Sequence, residues 1–430
     1  MSNRAPSNLS ARSVARYYLA RLRERLWLKP LISCLLSLAA AFVAGAADYF
    51  GPAEMFPDIS AESIERLLSI ISTSMLVIAV FAVGAMLSAY ASASNSATPR
   101  SFPLVVGDDV SQNALSTFIG AFIFSIVALV ALLNGYYEQP GRFVLFLITI
   151  VVFALVILGF VRWVDRIARL GRLGNTIGKI EAAADAALQL RARHPTLGAA
   201  AATGDVADEG IAFFSDEVGY VQNIDVAKLQ ALAESLDGKL LVSALPGVFA
   251  TPDIPLGYFV DAAGSPEPTD ALQAAAAAFV IGGDRTFESD PRFGLVVLSE
   301  IASRALSPAV NDPGTAIDII GTIVRLLVRW ARTSETDEAA GVEYDRVMVP
   351  AISLDAMFDD AFNAIARDGA ATVEVATRLQ KAFQALSLLG HEEMKRAAET
   401  HASLALSYAR QTLKLDEELE ALAESSIVRD

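Results

Sequence analysis

LLSIISTSMLVIAVFAVGAMLSAYASASNSATP, residues 67–99, carries no charge between Arg66 and Arg100. At about 1.5 Å per residue, a helix of this length would reach about 50 Å, longer than the ~30 Å hydrocarbon core of a bilayer. Three further apolar runs flank it: Leu31 to Ala47, Leu115 to Leu133 and Phe143 to Val161. The first is extended by Leu26, Trp27 and Leu28 around Lys29. Four such runs within 135 residues of chain are too many for the buried core helices of a soluble protein. They predict four transmembrane helices.

The charge pattern agrees. Of 430 residues, 53% are hydrophobic and only 19% charged, which disfavours an ordinary soluble enzyme. Residues 1–179 hold 15 Lys/Arg against 10 Asp/Glu, whereas residues 180–430 hold 19 against 39, a net of −20. An acidic C-terminal region disfavours the binding of polyanions, so no nucleic acid is expected as a partner; the lipid bilayer takes its place. Arg4, Arg12, Arg16, Arg21, Arg23, Arg25 and Lys29 precede the first span. Arg162, Arg166, Arg169, Arg172 and Lys179 follow the fourth. The loop between spans one and two carries Asp48, Glu54, Asp58, Glu62 and Glu65. Positive flanks stay in the cytoplasm, so both termini are expected there, in an inner membrane. Trp27 and Trp163 are expected in the interfacial aromatic belt. The long charged start and the weak AGA at 44–46 favour an anchor over a cleaved leader.

The expected organisation is a basic cytoplasmic segment (1–30), a four-helix transmembrane domain (31–161), a juxtamembrane helix and linker (162–205), a small α+β subdomain (206–268) and a helical cytosolic subdomain (269–430). The fold class is thus an α-helical polytopic membrane protein with a C-terminal, mainly helical α+β cytosolic domain. GYVQNID and KLLVSAL read as strands around the helix VAKLQALAESL. DALQAAAAAFVI reads as one helix, and further helices fall near 353–367, 370–389 and 391–424. Asp312 and Pro313 read as the N-cap and first residue of another.

Within the second span Ser69, Thr73, Val77, Val80, Gly84, Ser88, Ser92 and Asn95 recur at three- and four-residue steps and share one face. The face is too small and polar to prefer lipid. It is either a water-filled pore lining or a close-packing surface, Gly84, Ser88 and Ser92 forming a small-xxx-small series. Both uses point to a homo-oligomer. No Asp, Glu, Lys, Arg or His lies inside the four runs, which favours a passive ion-conducting pore over coupled transport. The alternative is a membrane-anchored scaffold or sensor without conduction.

Signatures of an enzyme fail one by one. GRLGNTIGK, 171–179, has Leu173 where a phosphate loop needs Gly, and Ile180 replaces its Ser/Thr. His194, His391 and His401 are scattered, so no metal set forms, and the single Cys34 excludes an intrachain disulfide. At the Pro246-Gly247 turn no lysine stands ready for biotinyl or lipoyl attachment. No catalytic residue and no cofactor is expected.

One block remains: RTFESDPRFGLVVLSEIASRALSPAVNDPGTA, 285–316. Arg285, Thr286, Asp290, Arg304, Asn311 and Asp312 bracket an apolar helix. They form either a ligand or subunit-contact site, through charged hydrogen bonds, or a structural network tying two helices together. The block resembles the hallmark of an uncharacterised bacterial family, the domain of unknown function 2254. That pattern has R-T-x-x-x-D-x-x-F-G, then L-x-x-I-A-x-R-A-L-S-P-x-x-N-D-P-x-T-A. It is met at Arg285, Thr286, Asp290, Phe293, Gly294, Leu298, Ile301, Ala302 and Arg304 to Pro308, and again at Asn311, Asp312, Pro313, Thr315 and Ala316. GYVQNID at 219–225 and Pro99-Arg100 are similar to the family too, although Thr98 stands where the family often has Ser. The likeness spans nearly the whole chain. It implies the membrane architecture and no activity.

Overall fold

The computed structural model describes residues 27–49, 56–202, 210–261, 269–336 and 341–428. Most of the basic N-terminal segment, Glu54, the end of the expected linker at 203–205, and residues 206–209 and 262–268 of the expected small subdomain lie outside the described residues. The chain divides into two compact units, Ala20–Thr176 and Ile177–Asp430.

In the first unit four helices are long and apolar enough to cross a membrane: α1 (Leu28–Ala46), α2 (Ala61–Ser96), α4 (Asp109–Leu133) and α5 (Gln139–Leu170), with a short α3 (Phe102–Val106) between the second and third. The protein is a polytopic membrane protein. Ser60 opens α2 by accepting the Ser63 N–H, seven residues before the uncharged run begins. Pro99 lies just beyond the end of α2, starting a 3-10 turn capped by Thr98.

The third span is the hub. Helix α4 packs against α1, α2 and α5, its Phe118, Ala121, Phe124 and Ala128 fully buried. Close approach to α1 rests on Gly120, whose carbonyl accepts from the Ser37 hydroxyl at 2.8 Å; a Cβ there would overlap Ser33. Trp163 corrects the aromatic-belt expectation. It is 2% exposed and packs edge-on against buried Phe118 and against Phe81 at the bundle surface, while Trp27 is exposed. An indole on the inward face of α5 gains more by filling the helix–helix gap than by lying in the interface.

Polar ties close the two ends of the bundle. At one end Asp48 caps α5, accepting from the Gly141 N–H at 2.6 Å and the Glu138 N–H at 3.1 Å, and Arg142 pairs with Asp58 at 3.2 Å. At the other, Lys29 pairs with Asp109 at 2.6 Å, and buried Asp108 caps α4 while binding the Arg166 guanidinium. Carboxylates at helix N-termini satisfy both the orphan N–H groups and the helix dipole.

The second unit holds most of α6 (Leu173–Arg193), two sheets and a helical layer. Gly171 and Arg172 separate α6 from α5, so the stretch expected to leave the membrane as one helix is two. The larger sheet has strand order β1-β8-β4-β6-β2, from β1 (Ala199–Ala201), β2 (Ile211–Phe213), β4 (Gly238–Val242), β6 (Gly257–Asp261) and β8 (Tyr344–Val349). β8 runs parallel to both β1 and β4, and the remaining pairs are antiparallel. β3 (Gly219–Ile224) pairs with β5 (Phe249–Ala250) and β7 (Phe279–Gly282) in the smaller sheet. Helix α7 (Val226–Ser235) covers β4 and β8, burying Leu229 and Ala233 against Leu240 and Val347.

Three expectations are corrected here. The Gly/Ala-rich stretch after His194 contains β1, which finds a parallel partner in β8. DALQAAAAAFVI divides into α8 (Thr269–Ala276) and β7, because Phe279 and Val280 pair with β3. The last helix is two, α13 (Glu392–Thr412) and α14 (Asp416–Glu424). The remaining helices are α9 (Phe293–Ala305), α10 (Pro313–Thr336), α11 (Leu354–Asp368) and α12 (Val373–Ser387). They bury Leu298, Ile320, Leu327, Phe358, Phe362 and Phe383 among themselves. A ladder ties α10 to α6: Arg325 grips Glu181 through two 2.9 Å bonds, and Arg329 meets Asp185 at 3.1 Å.

Candidate functional site

On α2 all eight stripe residues, Ser69, Thr73, Val77, Val80, Gly84, Ser88, Ser92 and Asn95, face outward. The opposite face, with Leu68, Ile71, Met75, Ala82, Met86 and Tyr90, is buried in the bundle. The stripe therefore does not serve packing within the chain's own four helices. A Cβ placed on Gly84 would meet no atom within 4 Å. Thr73 returns its hydroxyl to the Ser69 carbonyl at 2.9 Å, and Ser92 reaches the Gly171 carbonyl at 3.4 Å. Beside the stripe, exposed Ile70, Phe81 and Leu87 give α2 an ordinary lipid-compatible flank.

In the cytosolic unit the 285–316 block separates into two groups. Helix α9 lies between them, 13 residues or about 20 Å long. At its C-terminal end the Ser307 carbonyl accepts from the N–H of Asn311 at 2.8 Å. The Ala305 carbonyl accepts from that of Asp312, also at 2.8 Å. Asn311 has φ +50, a left-handed conformation that Asn tolerates better than most residues. Asp312 accepts both the N–H and the hydroxyl of Thr315, at 3.1 and 2.6 Å, capping α10; these bonds hold its carboxyl below the ordinary carboxylate value. This half is a helix-to-helix turn. Arg304 lies nearby in an open groove with Asn311 and Asp368.

The other end of α9 is chemically different. Asp290 is buried, receiving Arg285 Nε at 2.6 Å on one oxygen and the N–H groups of Arg292 and Phe293 at 3.1 and 3.2 Å on the other. Burial pushes its carboxyl upward, against the pull of Arg285. Gly247, at φ +95, lies so close that a Cβ would stand 2.3 Å from Asp290 Oδ2. The turn thus requires glycine twice over. Arg285 also lies 5.3 Å over the Phe293 ring. Thr286 keeps its hydroxyl buried, with no hydrogen-bond partner among the described residues.

Between the Pro246-Gly247 turn, Arg285, Arg292 and the start of α11 lies a cavity of about 150 Å³. Arg191 of α6 enters it, 5% exposed, with Nε and Nη1 lacking a hydrogen-bond partner among the described residues and Nη2 making a long 3.4 Å contact to the Pro350 carbonyl. Burial pushes this guanidinium down to about 10, with Asp290 acting in the opposite sense. Sequence reasoning missed Arg191, though a signal was present. Ile180, Ala184, Ala187, Leu188 and Arg191 fall on one face at helical spacing, so the arginine interrupts an apolar stripe.

The family described as "Predicted membrane protein (DUF2254)" matches residues 23–385. Uncharacterized proteins of Mycobacterium bovis and Mycobacterium tuberculosis are each 35% identical to the chain over 115 residues, 26% of this chain and 22% of theirs. The matched segment thus spans about a fifth of the length of these curated relatives. No solved structure matches the chain.

Proposed function

The chain belongs to the DUF2254 family of predicted membrane proteins, and from that premise we propose that it acts as a closed homo-oligomer whose α2 helices line a passive ion-conducting pore, shaped by the cytosolic unit. The observation carrying this reading is the outward small-polar face of α2. Lipid tails gain little from Ser, Thr, Gly and Asn, whereas a neighbouring helix or water does, and cyclic symmetry satisfies such a face in every subunit. Charge supports a cation preference. The region from 180 onward has a net charge of −20 and would raise the cation concentration at a cytoplasmic mouth, within a Debye length of about 8 Å at physiological salt. The reading takes both termini as cytoplasmic in an inner-membrane protein, the orientation that the basic flanks favour.

A second reading, a membrane-anchored scaffold or sensor, draws on the same face. Gly84, Ser88 and Ser92 suit dry helix packing, with no axial path left open. Purified protein in planar bilayers separates the two. Discrete currents reduced by Ser88→Trp or Asn95→Trp support the pore. Silence under voltage, tension and pH change, with a side-chain-filled axis in the assembled oligomer, supports the scaffold.

A further inference from the structure

We propose that the cavity beside Gly247 in the cytosolic unit binds a phosphate group, with Arg191 as its principal ligand and Arg285 and Arg292 as its flanks. This inference stands apart from the pore reading and would survive its failure.

Three features converge on the cavity. The first is charge. Arg285 is committed to Asp290 and Arg292 to Asp360, each at 2.6 Å, whereas Arg191 has neither Nε nor Nη1 hydrogen-bonded among the described residues. An arginine buried this deeply with two of its nitrogens unpartnered carries a desolvation cost that an anion would offset. The lowered affinity of Arg191 for its proton reflects the same deficit. The second feature is the fold. The loops that follow parallel strands β4 and β8 at their carboxyl ends supply Ser243 to Val248 and Ile352-Ser353, the place where open sheets with parallel strands hold ligands. The third is dipole. Pro291 and Arg292 lead into the N-terminus of α9, and Ser353 is the N-cap of α11, so the positive ends of two helices, 13 and 15 residues long, border the same space.

The ligand class follows from the geometry. Guanidinium groups come from three separate segments, α6, the loop after β7 and the start of α9, an arrangement that suits a ligand with acceptors in several directions. A tetrahedral oxyanion offers acceptors in several directions, and guanidinium forks suit it. A cavity of about 150 Å³ holds a phosphate with a few further atoms, either a soluble phosphate or the headgroup of a phospholipid.

The test uses the full chain in detergent at neutral pH. Unfolding temperature and calorimetric binding are followed with inorganic phosphate, short-chain phosphatidylglycerol, zwitterionic short-chain phosphatidylcholine, acetate and chloride at matched ionic strength. A saturable rise with phosphate supports a soluble ligand. A rise with phosphatidylglycerol, absent from phosphatidylcholine and from phosphate, supports a headgroup. Arg191→Met should abolish either response and, by removing an unpaired buried charge, unfold at a higher temperature than the parent in chloride. Arg191→Lys keeps the charge but loses the fork, and should weaken Kd about tenfold. The proposal is overturned if no phosphate-bearing probe exceeds chloride, or if acetate matches phosphate. It is equally overturned if Arg191→Met responds like the parent, or, should that variant not fold, if Arg191→Lys binds with the parent's Kd.

Discussion

Gly294 stands where α9 meets α6, and a Cβ there would lie 2.3 Å from the Ala184 Cβ and 3.0 Å from its Cα. Backbone on the far side cannot yield cheaply, so Gly294→Ala should cost about 1–3 kcal/mol in a chemical unfolding experiment. Ala184→Gly in the same chain should recover part of the loss, which a double-mutant cycle would read as coupling. Asp312→Ala should cost about 1 kcal/mol through the lost cap of α10. Its carboxyl is held low by Thr315, so the difference between variant and parent should persist at neutral pH and fade as pH falls through the folded-state value, below ~3.9. Arg191 shows the complementary sign. Its folded value of about 10 lies below the unfolded one, so its burial opposes folding at neutral pH and ceases to do so only in strong alkali. These residues differed in legibility. Asp312 announced itself through the following proline and a local cap needs no tertiary information. Gly294 was visible as part of a pattern, but its reason lies on a helix 110 positions away. Arg191 owes its meaning to a turn and a helix start that the chain reaches only later.

Elements were legible where their periodicity was long and their partners generic. The four spans and the start of α10 declare themselves by hydropathy or capping alone. β7 did not, because Ala274 to Ala278 promote helix and only pairing with β3, Ile224 opposite Phe279, makes the next four residues a strand. No Pro or Gly marks the break at 413–415 either; the chain turns so that Leu422 can join the cluster of Ala376, Leu406 and Ala409. For α2, sequence defined the small face but not its direction, since nothing in a repeat says which side neighbours will cover. Because that face points outward, Gly84→Leu should leave the fold of the single chain intact, there being open space beside it. In the proposed homo-oligomer it should force subunits apart, lowering the mass measured by light scattering in detergent. An unchanged mass distribution in that variant would argue against α2 as the subunit contact.

For the whole molecule the ends of the bundle make topology testable. Asp48, Asp58, Glu138 and Arg142 gather at one end, and Lys29, Asp108, Asp109 and Arg166 at the other. With Cys34 replaced, single cysteines at exposed Asp58 and Glu138 should react with an impermeant thiol reagent in intact cells, and one at Glu420 only after permeabilisation. Reaction at Glu420 from outside would invert the orientation. The hub position of α4 adds an ordering in time. A ribosome delivers α1 and α2 first, yet the helix against which both bury their inner faces is the third span. Until Asp109–Leu133 has entered the bilayer, Leu68, Met75 and Ala82 lack their main partner, and the nascent pair depends on insertion factors or lipid to stay in place. Release of the chain just before Asp109 should therefore yield a fragment that membrane proteases clear quickly, while release just after Leu133 should yield one that survives much longer.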